Sequence, residues 1–532
     1  MPAQGCMKVA IIAPPYPLEE APSPPLGVSY VAAACESAGC DVRIFDYIVR
    51  GYTREKIAAE LDAFAPDVVG STSVTMNFKY AAAIMQDVKR HNPDIIAMMG
   101  GPHVSYDWAD TLKKYPEIDL IVVGEGEDTL RELLPVIHER DAWPGIKGIV
   151  FRQDGQAHFT GPRDLIHNLD TLPAPARRLL PVSRYLALGF PVSIITSRGC
   201  PNQCIFCLGR RMVGYKVRYR TPSLIVDEIE DIISYGFTRI NIADDLFTAN
   251  KDRVRIFCEE LQRRGVKIAW TAFSRVNTVD EEVLTIMREA GCDSVSFGIE
   301  SGNPEMLKRV KKGITLDQAR KAVQACKNTG VLAHASFIIG MPGESPQTIE
   351  DSYTFAESLE IAYGFHLLAP FPGTTVREEQ EKYDIEFLTD DWDLYDANVP
   401  IVRTSTLSEQ YTKRFMDDFE ARHNELWNDI LRRYSEGACS DEEYLRVAGH
   451  NRMHLVFKIL TDDLIERHGV FSNDGSSLQA LAGRITEATG AQPDLVRQTL
   501  DQFDQAGYIR QASEAGTTRW YWTQNNRSDA QY

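Results

Sequence analysis

The sequence predicts an α/β protein in three parts: a doubly wound, Rossmann-like parallel sheet, a partial (β/α)6 barrel of the TIM type, and a helical region with a winged-helix-like end. Two stretches of alternating strand and helix patterns, separated by a segment rich in proline and arginine, predict the first two parts. Helical patterns after residue 405 predict the third. The predicted boundaries are residues 1–140, a connector at 141–190, the barrel at 191–404, helices at 405–467 and the winged-helix-like module at 468–532.

The length and the charge of the chain limit its function. Its 532 residues suggest about three domains, at roughly 100 to 200 residues each. The 57 basic and 75 acidic side chains give a net charge of −18, which disfavours broad binding to phosphate backbones. No apolar run reaches the ~18 residues that span a bilayer, and the first residues show no signal-peptide pattern. We therefore expect a cytoplasmic protein without a membrane span, whose cysteines are mostly reduced.

Five apolar runs predict the strands of the first part, with helical patterns between them. The strands are Val9–Ala13, Val42–Asp46, Val68–Ser73, Ile95–Gly100 and Leu120–Gly124, and the helices are Val28–Ser37, Arg54–Phe64, Tyr80–His91 and Thr129–Glu139. Small or polar residues follow the strands at Pro14-Pro15, Ser71 to Ser73, Gly100 to His103 and Gly124 to Glu127. Ligands of doubly wound sheets bind at these strand ends, so a large, flat ligand has room there. Tight turns between strands and helices explain the small residues equally well.

Six further strand–helix units predict a barrel that does not close. The strands are Val192–Thr196, Ile240–Ala243, Ile268–Phe273, Ser294–Gly298, Ala333–Ile339 and His366–Pro370. The helices are Leu224–Tyr235, Arg253–Arg264, Glu281–Ala290, Leu316–Asn328 and Thr348–Leu359. A closed barrel of this type has eight units, so six indicate an open one. The C-terminal helices are Glu409–Tyr434, Glu442–Glu466, Ser477–Thr489 and Pro493–Ala506, and a strand follows at Thr518–Trp522.

Three of the ten cysteines form a motif just after the first barrel strand. Cys200, Cys204 and Cys207 are spaced C-x3-C-x2-C, whereas the other seven are scattered. A structural zinc site needs four ligands, and no second pair of cysteines follows nearby. Three thiolates can hold three irons of a [4Fe–4S] cluster and leave the fourth iron without a protein ligand. Such an iron can bind a substrate; a zinc site or a cluster for electron transfer alone are the alternatives.

The motif, with Phe206 before its last cysteine, resembles that of the radical S-adenosylmethionine (SAM) superfamily. The later strand ends resemble this family as well, at Asp244 to Thr248, Phe273 to Arg275, Gly298 to Ser301 and Phe337 to Glu344. The resemblance implies a [4Fe–4S] cluster on the three cysteines and SAM on the open iron. It implies SAM contacts from Phe206, Asp244, Asp245, Ser274, Arg275, Glu300, Ser301 and Gly340.

The first part of the chain resembles the subclass that carries an N-terminal cobalamin-binding domain. The resemblance rests on Val9–Pro15, on Pro24 to Gly27, and on the Gly-Gly-Pro-His and Gly-Glu-Gly-Glu segments that end at His103 and Glu127. It implies cobalamin contacts from Pro15, Thr72, Ser73, Gly100, Gly101, His103, Gly124, Glu125 and Gly126. The D-x-H-x-x-G motif, which gives a histidine to cobalt, is absent, because residues 14–27 contain no histidine.

The resemblance implies an enzyme that cleaves SAM to a 5′-deoxyadenosyl radical and methylates an unactivated carbon with cobalamin. The sheet's C-terminal edge should then face the barrel's C-terminal mouth. The substrate is expected to be a small or lipid-like molecule, and a flavodoxin or ferredoxin would supply electrons. An oxidative cyclase or rearrangement enzyme of the tetrapyrrole-cyclase type, without methyl transfer, is the alternative.

An iron–sulfur sensor that binds DNA through the C-terminal module belongs to another class. Its candidate recognition helix, Pro493–Gln505, carries one arginine and three aspartates, which disfavours phosphate contacts. We therefore expect no nucleic-acid partner.

Overall fold

A seven-stranded sheet forms the first part of the computed structural model, which describes residues 6–16, 22–472, 477–514 and 516–526. Its strands are β1 (Lys8–Ala13), β2 (Asp41–Asp46), β3 (Val68–Thr72), β4 (Ile96–Gly100), β5 (Leu120–Val122), β6 (Ile149–Gln153) and β7 (Gln156–Phe159). Its helices are α1 (Leu26–Ser37), α2 (Arg54–Phe64), α3 (Phe78–His91), α4 (Pro102–Lys114) and α5 (Glu127–Leu133). The strand order is β2-β1-β3-β4-β5-β6-β7, and the first five strands are parallel. The predicted doubly wound sheet is confirmed.

Strand β1 lies between β2 and β3, so the order of the sheet reverses beside it. In open α/β sheets, ligands bind beyond the carboxyl ends of the strands at such a switch point. The hairpin of β6 and β7, which the sequence places in the connector, pairs antiparallel with β5 and extends the same sheet.

Helix α4 was not predicted, and His103 lies in its first turn instead of in a turn between elements. Pro102 occupies the first helical position, which its fixed φ and missing N–H suit. The helix buries the polar residues His103, Ser105 and Thr111 beside Val104 and Leu112. A buried face that is half polar gives weak apolar periodicity, which explains why the pattern does not reveal the helix.

Six parallel strands form the second sheet, in the order β15-β14-β13-β12-β11-β8. The strands from the connector onward are β8 (Val192–Ile194), β9 (Ser197–Arg198), β10 (Arg218–Tyr219), β11 (Arg239–Ile242), β12 (Ala269–Ser274), β13 (Cys292–Glu300), β14 (Leu332–Ile339) and β15 (Ala362–Leu367). The helices are α6 (Val182–Leu188), α7 (Gly209–Val213), α8 (Pro222–Tyr235), α9 (Lys251–Arg263), α10 (Glu281–Glu289), α11 (Pro304–Arg309), α12 (Leu316–Thr329) and α13 (Pro346–Ser358). β8 and β15 are not paired with each other, so the predicted open barrel is confirmed. The last strand begins four residues before its predicted start at His366.

Alternation along the barrel strands separates an apolar face from a polar one. Trp270, Phe297 and Phe337 are fully buried against the outer helices. The opposite face carries half-exposed polar residues such as Asn241 and Ser296. The barrel therefore has an open, polar lumen below its C-terminal mouth.

Helices dominate the chain after the barrel. The elements are α14 (Thr375–Glu378), β16 (Glu386–Phe387), β17 (Val402–Arg403), α15 (Glu409–Ser435), α16 (Asp441–Thr461), α17 (Leu464–His468), β18 (Val470–Ser472), α18 (Leu478–Thr489), α19 (Pro493–Gln505), β19 (Ile509–Glu514) and β20 (Thr517–Trp522). The three-stranded sheet β18-β20-β19 with α18 and α19 forms the expected winged-helix-like module. In the part of the chain that the structure describes, no helix combines the length and the apolarity that a bilayer span requires.

Helix α6 of the connector joins the C-terminal module to the N-terminal sheet. Ser183 Oγ lies 2.7 Å from Thr523 Oγ1, and the Arg184 guanidinium lies 5.3 Å from the centre of the Trp522 ring. On its other side, Tyr185 donates a hydrogen bond of 2.7 Å to Asp46 Oδ2 at the end of β2. Burial raises the pKa of Asp46 to about 6 although Tyr185 stabilises its charged form.

The buried Asp46 carboxyl predicts a pH-dependent stability for the protein without cofactors. Its raised pKa means that the folded state holds a proton that the unfolded state releases between pH 3.8 and about 6. Stability should therefore fall as pH rises through this window. Asp46→Asn removes the titrating carboxyl. The stability of this variant relative to the parent protein should therefore rise by about 3 kcal/mol between pH 3.8 and about pH 6. Urea unfolding at several pH values measures the difference.

Asp41→Asn, which makes the same change at the exposed start of the same strand, is the matched control, and its unfolding free energy is measured at the same pH values. A difference for Asp46→Asn that stays constant from pH 4 to pH 6 contradicts the assignment.

Candidate functional site

A cavity of about 380 Å³ separates the C-terminal edge of the first sheet from the mouth of the barrel. Its walls come from β1, β3, β4 and β5 on one side and from Ser197, Ala243 and Asp245 on the other. Apolar side chains such as Ile11 and Met98 provide most of the surface. The predicted placement of the two edges opposite each other is confirmed.

The structure brings six of the nine residues predicted for cobalamin into this cavity wall. They are Thr72, Gly100, Gly101, Gly124, Glu125 and Gly126. Gly101 has a φ of +100°, and a Cβ there would lie 2.6 Å from Ser73 O and 2.8 Å from Thr72 Oγ1. Only glycine therefore lets the turn after β4 pass this close to the turn after β3.

Pro15, Ser73 and His103, the other three, do not line the cavity. The His103 ring stacks on Phe78 with centroids 4.1 Å apart and contacts Trp392 edge-on at 5.0 Å. Burial, with a smaller effect of Arg377, lowers the pKa of His103 to about 3, so the ring is neutral. His103 therefore acts in packing between α4 and the segment after the barrel.

A short ribbon of β9 and β10 closes the loop that carries the three cysteines. Arg198 pairs with Arg218 across this ribbon, and the loop between them contains Cys200, Cys204 and Cys207. Backbone hydrogen bonds fix it further: Cys200 N donates to Gly214 O at 3.1 Å, and Ile205 N donates to Val310 O at 3.2 Å.

The three thiols match the number of protein ligands of a [4Fe–4S] cluster with one open iron. Among the described residues, no three histidine, cysteine or acidic side chains converge closely enough to hold one metal ion. In a [4Fe–4S] cluster each thiolate binds a different iron, so convergence on one point is not needed. Asn202 Nδ2 lies 3.2 Å from Cys200 Sγ, and Arg275 Nη1 lies 3.6 Å from Cys204 Sγ. Both are donors that can stabilise negative sulfur.

Two adjacent aspartates after β11 differ in their surroundings. Asp244 is buried and accepts hydrogen bonds from Thr196 N at 2.6 Å and from Ser197 Oγ at 2.6 Å. Its oxygens are thus engaged in holding the segment before the cysteine loop. Asp245 accepts from Gly199 N at 3.2 Å and also lines the cavity. Burial raises the pKa of both carboxyls.

Glu300 ends β13 in an unusual backbone conformation. Its φ is +74°, and the pairing of β13 with β14 shifts register beside it. Lys312 Nζ donates a hydrogen bond of 2.7 Å to Glu300 Oε1 and lies 6.0 Å from the centre of the Phe206 ring. Non-glycine residues with positive φ concentrate at functional sites, and this one lies beside the cysteine loop.

The remaining predicted SAM contacts lie at the ends of three neighbouring strands. Ser274 ends β12 and Arg275 follows it, and Arg275 donates both toward Cys204 and to Lys312 O. Ser301 is fully buried and bonds to Ser352 Oγ at 3.1 Å, which indicates an anchoring role. Gly340 has a φ of +93°.

Glu344 closes the predicted segment Phe337 to Glu344, but sequence reasoning assigned it no role of its own. Its Oε2 accepts from Gly340 N at 2.5 Å and from Met341 N at 3.2 Å, and burial raises its pKa to about 8. Glu344 therefore supports the turn at Gly340 that follows β14.

Sequence reasoning also missed a buried ion-pair network between the two parts. Glu125 Oε1 and Oε2 each lie 2.8 Å from a terminal nitrogen of Arg218, and Arg198 Nη1 lies 3.2 Å from Oε1. Glu127 Oε1 lies 2.6 Å from Arg198 Nη2. These side chains are at most 11% exposed. Burial alone would raise the pKa of Glu125, but Arg218 and Arg198 hold it below its ordinary value. We call this set the arginine clamp.

Family comparisons agree with this arrangement. The family model of the Radical SAM superfamily matches residues 194–356, and that of the B12 binding domain matches residues 20–134. An uncharacterized methyltransferase of Pyrococcus horikoshii is 36% identical over 76% of this chain and 90% of its own length. An anaerobic magnesium-protoporphyrin IX monomethyl ester cyclase of Rubrivivax gelatinosus is 30% identical over 63% of this chain and 62% of its own.

A solved structure shares the fold over most of the chain. The cobalamin-dependent S-adenosylmethionine radical enzyme OxsB has a TM-score of 0.69 and 18% identity, over 94% of this chain and 80% of its own. Together with the two family models and the relative of Pyrococcus, the cysteine loop and the facing sheet edges identify the class. The chain belongs to the radical SAM superfamily, in the group whose barrel follows a B12-binding domain.

Proposed function

We propose that this enzyme methylates an unactivated carbon of a small or lipid-like substrate with the help of cobalamin. The cavity between the two edges carries the proposal, because its wall contains both the sheet residues predicted for cobalamin and Asp245 of the barrel. When bound, the cluster and SAM supply a 5′-deoxyadenosyl radical that can take hydrogen from such a carbon, and cobalamin supplies the methyl group.

The barrel residues would hold and orient SAM beside the loop. Asp245 would offer a carboxylate to a SAM amino group, and Glu300 would offer one to its ribose hydroxyls. Lys312 restrains Glu300 through its 2.7 Å hydrogen bond. Asp244 acts on the cysteine loop indirectly, because it accepts hydrogen bonds from Thr196 and Ser197 just before that loop. We therefore assign Asp244 a positioning role.

The apolar wall of the cavity suits a reactive intermediate. Ile11, Met98, Met99 and Leu130 leave few groups that could hold water next to the reacting atoms. Exclusion of water protects radicals from side reactions and strengthens the electrostatic interactions inside the site.

A reaction that starts from a reduced [4Fe–4S] cluster needs a reducing compartment and an electron source. We propose the cytoplasm, supported by the ten cysteines, all within the described residues, which form no disulfide with one another; Cys35, Cys258, Cys292 and Cys326 among them are buried. A small carrier such as a flavodoxin or ferredoxin would supply the electrons.

An oxidative cyclisation without methyl transfer is the alternative, favoured by the Rubrivivax relative. The two reactions differ in whether a methyl group is transferred to the product. Transfer of the SAM methyl group to the product therefore decides between them.

Replacing Cys204 with alanine should abolish formation of 5′-deoxyadenosine. The loop would lose one of three thiolates, so iron should fall below the about four per chain of a complete cluster. Iron analysis of anaerobically reconstituted protein and chromatography of the SAM cleavage products measure both. Cys6→Ala, at an exposed cysteine outside the loop, should leave both unchanged. SAM cleavage by the Cys204 variant would contradict the assignment of the loop.

Replacing Gly100 with leucine should block corrinoid binding without damaging the barrel. A Cβ at Gly100 meets only Val122 O at 3.6 Å and Val122 Cβ at 4.0 Å, so a longer side chain can enter the cavity without backbone strain. We expect the affinity for hydroxocobalamin to fall at least tenfold, with iron content and SAM cleavage retained. Gly100→Ala is the matched control and should bind normally. A leucine variant with unchanged affinity would place the corrinoid elsewhere.

A further inference from the structure

Exposed cations flank the cysteine loop on both sides. Arg210, Arg211 and Lys216 follow Cys207 on α7 and the segment after it, and Arg211 and Lys216 are exposed. Lys308 and Lys311 lie on the other side, exposed, around Val310. Val310 O accepts the hydrogen bond of Ile205 N inside the loop, so this second pair is joined directly to it. We call these five residues the basic rim.

The cations between Arg210 and Arg220 divide into an exposed group and a buried pair. Arg218 and Arg220 point inward and are neutralised by Glu125 and Glu228, at 2.8 Å and 2.5 Å. None of the five side chains of the basic rim forms a salt bridge with any residue of the described chain. The whole chain carries a net charge of −18, whereas these five side chains beside the loop are all positive.

The loop itself is accessible at this face. Pro201 and Gln203 of the loop are exposed, and Met212 and Val213 of the adjoining segment are half-buried and line the interdomain cavity. The chain between residues 201 and 213 therefore reaches from the surface to the cavity wall. Electron transfer slows steeply with distance, so an external donor must dock where the cluster lies nearest to the surface.

We propose that the basic rim is the docking surface for a small acidic one-electron carrier protein. This inference rests on the proposed function, because only a protein that holds the cluster needs such a donor. The carrier is oxidised by one electron and the cluster is reduced by one; no bond forms or breaks and no proton moves. Transient redox complexes bury little area, and complementary charge raises their association rate.

Charge reversal of the basic rim tests the proposal. The first variant combines Arg210→Glu, Arg211→Glu and Lys216→Glu, and the second combines Lys308→Glu and Lys311→Glu. Stopped-flow absorbance would follow cluster reduction by a reduced flavodoxin. Each variant should react about tenfold more slowly than the parent protein at low ionic strength, and the difference should shrink as salt is added. Arg288→Glu with Lys321→Glu, on exposed positions of α10 and α12, is the matched control and should react at the parent rate.

A second reductant, opposite in charge to the acidic carrier, distinguishes a loss of docking from structural damage to the loop. Reduced methyl viologen is a small cation, so charge reversal should leave its rate unchanged or raise it. An unchanged rate with flavodoxin, or an equal loss with both reductants, overturns the proposal. SAM cleavage with dithionite tests the proposed function separately: if the parent protein cleaves SAM and the flavodoxin rates do not change, only the docking surface is wrong.

Discussion

The arginine clamp is the interaction on which the site depends. Arg198 and Arg218 pair across the ribbon that closes the cysteine loop, where two like charges repel each other. Glu125 and Glu127, from the turn after β5, neutralise them across the boundary between the two parts. Removing one partner of a buried ion pair leaves an unpaired charge and typically costs about 3–5 kcal/mol. The clamp therefore fixes the cysteine loop to the same turn whose glycines line the cavity.

This arrangement links the two cofactor regions through a few residues of backbone. Gly124 and Gly126 line the cavity, and Glu125 between them binds both arginines of the ribbon. A shift of the turn would thus move the cavity wall and the neck of the loop together. Such rigidity suits a reaction in which groups bound to different domains must meet in one orientation.

The sequence revealed the parts of the site that carry local patterns. The cysteine spacing, the strand ends and the alternation of elements are short-range features. The structure places six of the predicted sheet residues and Asp245 around one cavity, and Arg198, at the neck of the cysteine loop, also lines it. The sequence did not reveal that Asp244 is saturated by Thr196 and Ser197, nor that Lys312 restrains Glu300, because these partners lie on other elements. Helix α4 escaped detection because its buried face is half polar. The resemblance implied that His103 contacts cobalamin, whereas its ring contacts Trp392 in the structure.

The most direct test of the central claim is an electron paramagnetic resonance measurement on reduced enzyme that contains both the cluster and cob(II)alamin. Both centres then carry an unpaired spin. If the corrinoid occupies the cavity beside the cysteine loop, the two signals should show strong spin–spin coupling, and Gly100→Leu should remove it. Two uncoupled signals in the fully loaded parent enzyme would contradict the account.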